Sequence, residues 1–271
     1  MDQSSQPPSS TTPGYTERVA QADDTAGRAS SEAPSVSPSP VVGILGGMGP
    51  AATADLYSKI IAATPASTDQ EHLRVMIWAD PRVPDRTLAL TRGGEDPTPY
   101  LVAGARKLQE AGAAFYVIAC NGAHAFLPRI REQVDLECLS IIEVTADHIA
   151  ALPYVRAVGL LATDATLSAG LYQQALLAHE VDVVQPEPAD QETVMSAIFA
   201  VKAGTLTAGQ RQRVQEVTER MAAAGADVII AGCTEIPLAV DAASAPKPLI
   251  DPAALLADRV VSESARRTVG Q

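Results

Sequence analysis

The chain has 271 residues, of which 46% are hydrophobic, and a net charge of −12. That length and apolar content allow a substantial core. The negative charge excludes nucleic acid as a partner, because its binding needs clustered Lys and Arg. Apolar runs of about six to ten residues are too short to cross a bilayer. Three cysteines outside any CxxC or His-rich spacing form neither a disulfide framework nor a zinc site.

Residues 1–39 are dominated by Ser, Pro, Thr and Ala and are expected to form a disordered tail. They carry no positive segment followed by an apolar one and no twin-arginine signal, so a soluble cytoplasmic protein is expected. Beyond them, strand and helix alternate. A strand over 41–45 leads through GGMGP to a helix over 51–63, with Pro50 suited to a first helical turn. A strand over 73–78 ends at Asp80-Pro81, and Arg86 follows in a proline-punctuated loop. A helix over 99–110 stops at Gly112, a strand over 114–119 ends at Cys120, a strand spans 136–142 and a helix 143–152. The pattern then restarts with a strand over 157–161, a helix over 167–179 and a strand over 181–184. Helices over 192–203 and 208–224 follow, then strands over 228–231 and 248–250 and a terminal helix over 253–267.

Fully apolar strands alternating with helices predict parallel sheets covered on both faces. The chain also repeats itself. VVGILGGMGP around Gly43 matches AVGLLATDAT around Gly159, and EAGAAFYVIACNGAH matches AAAGADVIIAGCTEI. Gly43 precedes Cys120 by 77 residues and Gly159 precedes Cys233 by 74. The predicted fold is therefore α/β, with two pseudo-symmetric lobes that each hold a parallel sheet flanked by helices. The first lobe takes 40–139 plus 250–271 and the second takes 140–249. Ligands bind such sheets at the carboxyl ends of strands, where both cysteines fall, so the active site is expected between the lobes.

Two thiols facing one another across a pseudo-two-fold axis can take a proton from one face of a carbon and return one to the other. Each cysteine follows a buried strand and precedes a polar start, where backbone N–H groups lower a thiol pKa. Cys138, within LECLSI, lacks this setting and is assigned to the core. The G-x-x-G-G-x-G spacing at 43–49 is not a dinucleotide fingerprint. It is either a tight turn or a site where free N–H groups hold a small carboxylate. His124 either orients the Cys120 thiol or caps and packs. Glu235 assists proton handling or is a solvated first-turn carboxylate, and Lys202 either binds a ligand or merely suits a helix end. Arg86 offers a guanidinium for a carboxylate.

With GILGGMGP at 43–50, PDRT at 84–87, ACNGAH at 119–124, VKAG at 201–204 and GCTEIPL at 232–238, the sequence over about 40–271 resembles the aspartate/glutamate racemase superfamily, most closely its aspartate racemase branch. The resemblance implies an isomerase without cofactor or metal, acting on a small acidic amino acid, and a homodimer. It implies Cys120 and Cys233 as opposed acid and base, with Glu235 assisting. Arg86 and Lys202 would hold the distal carboxylate. The glycine turn (Gly47, Met48, Gly49) and Asn121 would hold the α-carboxylate, with Gly122 and Thr234 beside the substrate. Related glutamate racemases usually carry histidine at the position of Glu235. The usual CNT motif reads Cys120-Asn121-Gly122 here, which opens the question of substrate. Hydantoin-type racemases, maleate-type isomerases, malonate-type decarboxylases and a silent dicarboxylate-binding homologue are the alternatives.

Overall fold

The computed structural model describes residues 39–269, so the tail expected over 1–39 lies outside the described residues but for its last position. Two four-stranded parallel sheets organise the chain. In the first, β1 (Val41–Gly46), β2 (Arg74–Ala79), β3 (Phe115–Ile118) and β4 (Cys138–Leu139) lie in the order β2-β1-β3-β4. In the second, β5 (Ala157–Leu161), β6 (Asp182–Val184), β7 (Val228–Ala231) and β8 (Leu249–Ile250) lie in the order β6-β5-β7-β8. The order is the same, and so is the register: Gly43 of β1 stands opposite Tyr116 of β3, and Gly159 of β5 opposite Ile229 of β7. The internal repeat is thus a structural one.

Strands β1, β3 and β7 are buried along their whole length. Their unbroken apolar sequences follow from layers on both faces, which leave no solvent side to alternate toward. Outside the first sheet lies α3 (Thr98–Glu110), and α4 (Leu127–Arg131) packs in the same cluster. The equivalent layer of the second sheet is α8 (Pro188–Ala203) with α9 (Ala208–Ala223). Between the sheets, one continuous core joins Ile44 and Val117 of the first to Leu160 and Ile230 of the second. Leu56 of α1 (Pro50–Ala63), Ile149 of α5 (Ile141–Ala150) and Leu256 of α10 (Pro252–Val269) complete it.

Three elements differ from expectation. The strand expected over 136–142 pairs only at Cys138 and Leu139. The Ser140 side chain accepts from the Glu143 N–H and starts α5, so Ile141 and Ile142 enter a helix. Arg86 is not in a loop but opens α2 (Arg86–Arg92), whose first turn is capped by Asp85 accepting from the Leu88 N–H. The helix expected over 167–179 is two: α6 (Asp164–Ser168), capped by Thr163, and α7 (Leu171–Leu177). Gly170, at φ 63°, turns the chain between them.

Candidate active site

Parallel strands of one sheet end on the same side, and the turns after β1 and β3 line one cavity with those after β5 and β7. The turn after β1 is tightly built. Gly47 has φ 92°, and a Cβ there would stand 2.5 Å from the Asp80 backbone. Its N–H donates to Thr53 Oγ1 at 2.9 Å, and that hydroxyl donates to the Gly49 carbonyl at 3.0 Å. The expectation that Gly47 holds a carboxylate is therefore corrected: its amide is already taken by the helix it precedes. Of this turn Met48 lines the cavity, while Gly47 and Gly49 do not.

The remaining expected residues converge. Met48, Arg86, Cys120, Asn121, Gly122, Lys202, Cys233, Thr234 and Glu235 line one narrow cavity. Cys120 comes from the end of β3 and Cys233 from the end of β7, one from each sheet. Their surroundings differ. Cys120 is half-buried, and Cys233 is buried. The Cys233 Sγ–H donates to Glu235 Oε2 at 2.9 Å, and the Thr234 hydroxyl reaches the same oxygen at 3.2 Å. Burial, and next the Glu235 charge, push the Cys233 thiol well above the usual range; Lys202 partly offsets them. Cys233 therefore rests as a protonated thiol.

Arg86 is held in place by its own neighbourhood. Nη1 donates to the Val83 and Pro84 carbonyls at 3.2 and 3.0 Å, and Nη2 to the Met48 carbonyl at 3.1 Å. Among the described residues, Nε–H and one Nη2 hydrogen have no acceptor. His124 is not a partner of the Cys120 thiol. Its Nδ1 meets the Cys120 carbonyl at 2.9 Å, and Nε2 accepts the Ile141 N–H at 3.4 Å. Burial lowers its pKa to about 4, so the ring is neutral and structural. Cys138 is buried in β4, with its thiol pushed up to about 12 by burial, and is absent from the cavity lining.

Sequence reasoning missed Asp85, Thr87, Thr163, Thr166 and Gly232, which also line the cavity. Thr163 and Thr166 lie in ATDAT, the counterpart of the glycine turn in the second half, and aligning the repeat would have found them. A Cβ on Gly122 would meet Thr166 Oγ1 at 3.5 Å and Thr163 Oγ1 at 3.8 Å, so the two halves touch there.

Residues 45–260 match the family described as Asp/Glu/Hydantoin racemase. Over 228 residues the chain is 29% identical to the broad specificity amino-acid racemase RacX of Bacillus subtilis, which spans 82% of this chain and 97% of that protein. The solved aspartate racemase of Picrophilus torridus aligns with a TM-score of 0.75 and 30% identity, covering 83% of this chain and 94% of that one. A glutamate racemase isoform of Bacillus anthracis aligns with a TM-score of 0.63 at 17% identity, over 85% of this chain and 83% of that one, and shares the fold.

Proposed function

The chain belongs to the Asp/Glu/hydantoin racemase family, and on that premise we propose that it is a PLP-independent amino-acid racemase acting on aspartate or a close acidic relative. One observation carries the reading. A cysteine from each half reaches the same cavity at corresponding strand ends, after β3 and after β7. One thiolate takes the α-proton onto sulfur, leaving a carbanion conjugated with the α-carboxylate. The opposite thiol gives its own proton to the other face of that carbon, and the roles of the two sulfurs are then exchanged. Glu235 is placed to accept the proton of Cys233 when that residue must act as base. Asn121 binds the α-carboxylate and damps the charge that develops there. Lys202 and the remaining N–H groups of Arg86 face the distal carboxylate. A cytoplasmic homodimer goes with this reading.

A second reading keeps the chemistry and widens the substrate range. It is favoured by the 29% identity to a broad specificity racemase, over nearly all of that protein's length. The test is incubation with each enantiomer of aspartate and a panel of neutral amino acids in D₂O. The acidic reading expects deuterium at the α-carbon and racemisation of aspartate far above the neutral panel. Comparable rates across the panel would establish the broader reading. Cys120→Ser and Cys233→Ser should each lower racemisation by about 10²–10⁴-fold, while each keeps exchange of the α-proton of one enantiomer. Cys138→Ser should stay near the wild-type rate. Near-normal racemisation by either of the first two variants would sink the two-thiol scheme.

A further inference from the structure

Asn121 follows Cys120 and lines the cavity, and it is buried, with 3% of its surface exposed. Its amide carries one acceptor and two donors. The acceptor is taken from the other half of the molecule: the Tyr172 hydroxyl of α7 donates to Asn121 Oδ1 at 2.6 Å, across 51 residues of sequence. Tyr172 has no exposed surface and sits in the core that joins the two sheets. Nδ2, by contrast, is buried and has no partner among the described residues. A buried amide with a satisfied oxygen and two idle N–H groups is unusual, because leaving such donors unpaired is costly. It is what a site awaiting an anionic ligand should look like.

Resting on the racemase reading above, we infer that Tyr172 is a positioning residue. Its hydroxyl holds the Asn121 amide in the orientation that turns NH₂, and not C=O, toward the substrate α-carboxylate. Rotating the amide by half a turn would aim Oδ1 at that carboxylate and set the Nδ2 donors against the phenol in place of the oxygen it now donates to at 2.6 Å. The side-chain oxygen and nitrogen of asparagine are nearly equal in shape, so packing alone does not choose between the two orientations. A hydrogen-bond donor does. Burial raises the phenol pKa far beyond its usual value, so Tyr172 stays a donor at every pH where the enzyme works. The bond also runs between the halves, which couples the arrangement of the first cysteine turn to the core of the second lobe.

The test is a double-mutant cycle on the full chain, begun only after wild type has been shown to put deuterium into an amino acid in D₂O. Tyr172→Phe removes one oxygen. We expect kcat/KM to fall about ten- to hundredfold with the melting temperature little changed. In an Asn121→Ala background the same substitution should cause no further loss, because there is no amide left to orient. Asn121→Asp keeps an acceptor for Tyr172 but has no NH₂, and should be as slow as Asn121→Ala. A Tyr172→Phe enzyme with wild-type kcat/KM would overturn the inference, and so would an equal loss in both backgrounds, as for a purely structural tyrosine. Should Tyr172→Phe fail to fold, Tyr172→His takes its place in the cycle: an equal loss in the Asn121 and Asn121→Ala backgrounds overturns the inference, and a loss seen only where Asn121 is present supports it. A wild-type protein without exchange on any amino acid would overturn the racemase reading itself, and this inference with it.

Discussion

At the scale of single residues, the two thiols are chemically unequal although the fold makes them equivalent by position. Cys233 is buried and donates to Glu235, and Cys120 is half-buried. Burial comes first in raising the Cys233 pKa, and the carboxylate second. Removing the charge while keeping the shape, as in Glu235→Gln, should therefore lower that pKa. The thiol would then ionise at lower pH, and any limb of the activity profile that reports its ionisation should move in the same direction. Ultraviolet thiolate absorbance in a Cys120→Ser, Cys138→Ser background reads this directly, since Cys233 is then the one thiol left in the chain. Unchanged titration, or a rise, would remove Glu235 from the account of this thiol. The turnover of Glu235→Gln should fall all the same, because an amide accepts the proton poorly.

At the scale of elements, the site is a set of first turns. The short 3-10 helix Gly122–Phe126 begins where the chain departs from the usual CNT motif. Gly122 is not among the glycines with positive φ, so its backbone takes no conformation that threonine would resist. A Cβ there would lie 3.5 Å from Thr166 Oγ1 and 3.7 Å from Ala165 Cβ, ordinary contact distances. The consequence of this glycine is space beside Cys120, bordered by the hydroxyls that begin α6. Gly122→Thr should fold with a stability change of less than about 1 kcal/mol. It should raise kcat/KM for aspartate and lower it for a larger acid such as glutamate. The ratio of the two rates is the measurement; if it does not move, the glycine is neutral for substrate choice.

At the scale of the molecule, one core spans both sheets, and a buried histidine is wedged between its elements. His124 joins the Cys120 carbonyl to the first N–H of α5. Its pKa falls from 6.5 to about 4 on folding, chiefly through burial. A depressed histidine pKa means the unfolded chain binds the proton first. The stabilisation is complete above about pH 6.5 and is lost as pH falls toward 4, by on the order of 3 kcal/mol. For a chain of this size that corresponds to a drop in melting temperature of roughly 6–12 °C. His124→Gln should carry a constant penalty but a flatter dependence on pH across that window. Parallel curves for the two proteins would show that His124 does not govern acid stability.

Much of this was written locally. The two cysteine-bearing segments, the apolar runs of β1, β3, β5 and β7, and Pro50 at the start of α1 can be read along the chain, because strand burial and helix starts leave periodic or short-range marks. From them follow two like halves and a cysteine at one strand end of each. Other features depend on which distant segments arrive. Ile141 and Ile142 have strand-like side chains, yet Ser140 and the supporting core make them helical. Gly47 looks free to bind an anion until Thr53 claims its N–H. No spacing connects Tyr172 to Asn121, and no motif states that Cys233 will be more buried than Cys120. Desolvation and hydrogen-bond partnership belong to the assembled neighbourhood. Which residue types stand at the strand ends is written in the chain, whereas packing of distant segments sets how far Cys233 and His124 are desolvated and which way the Asn121 amide is held.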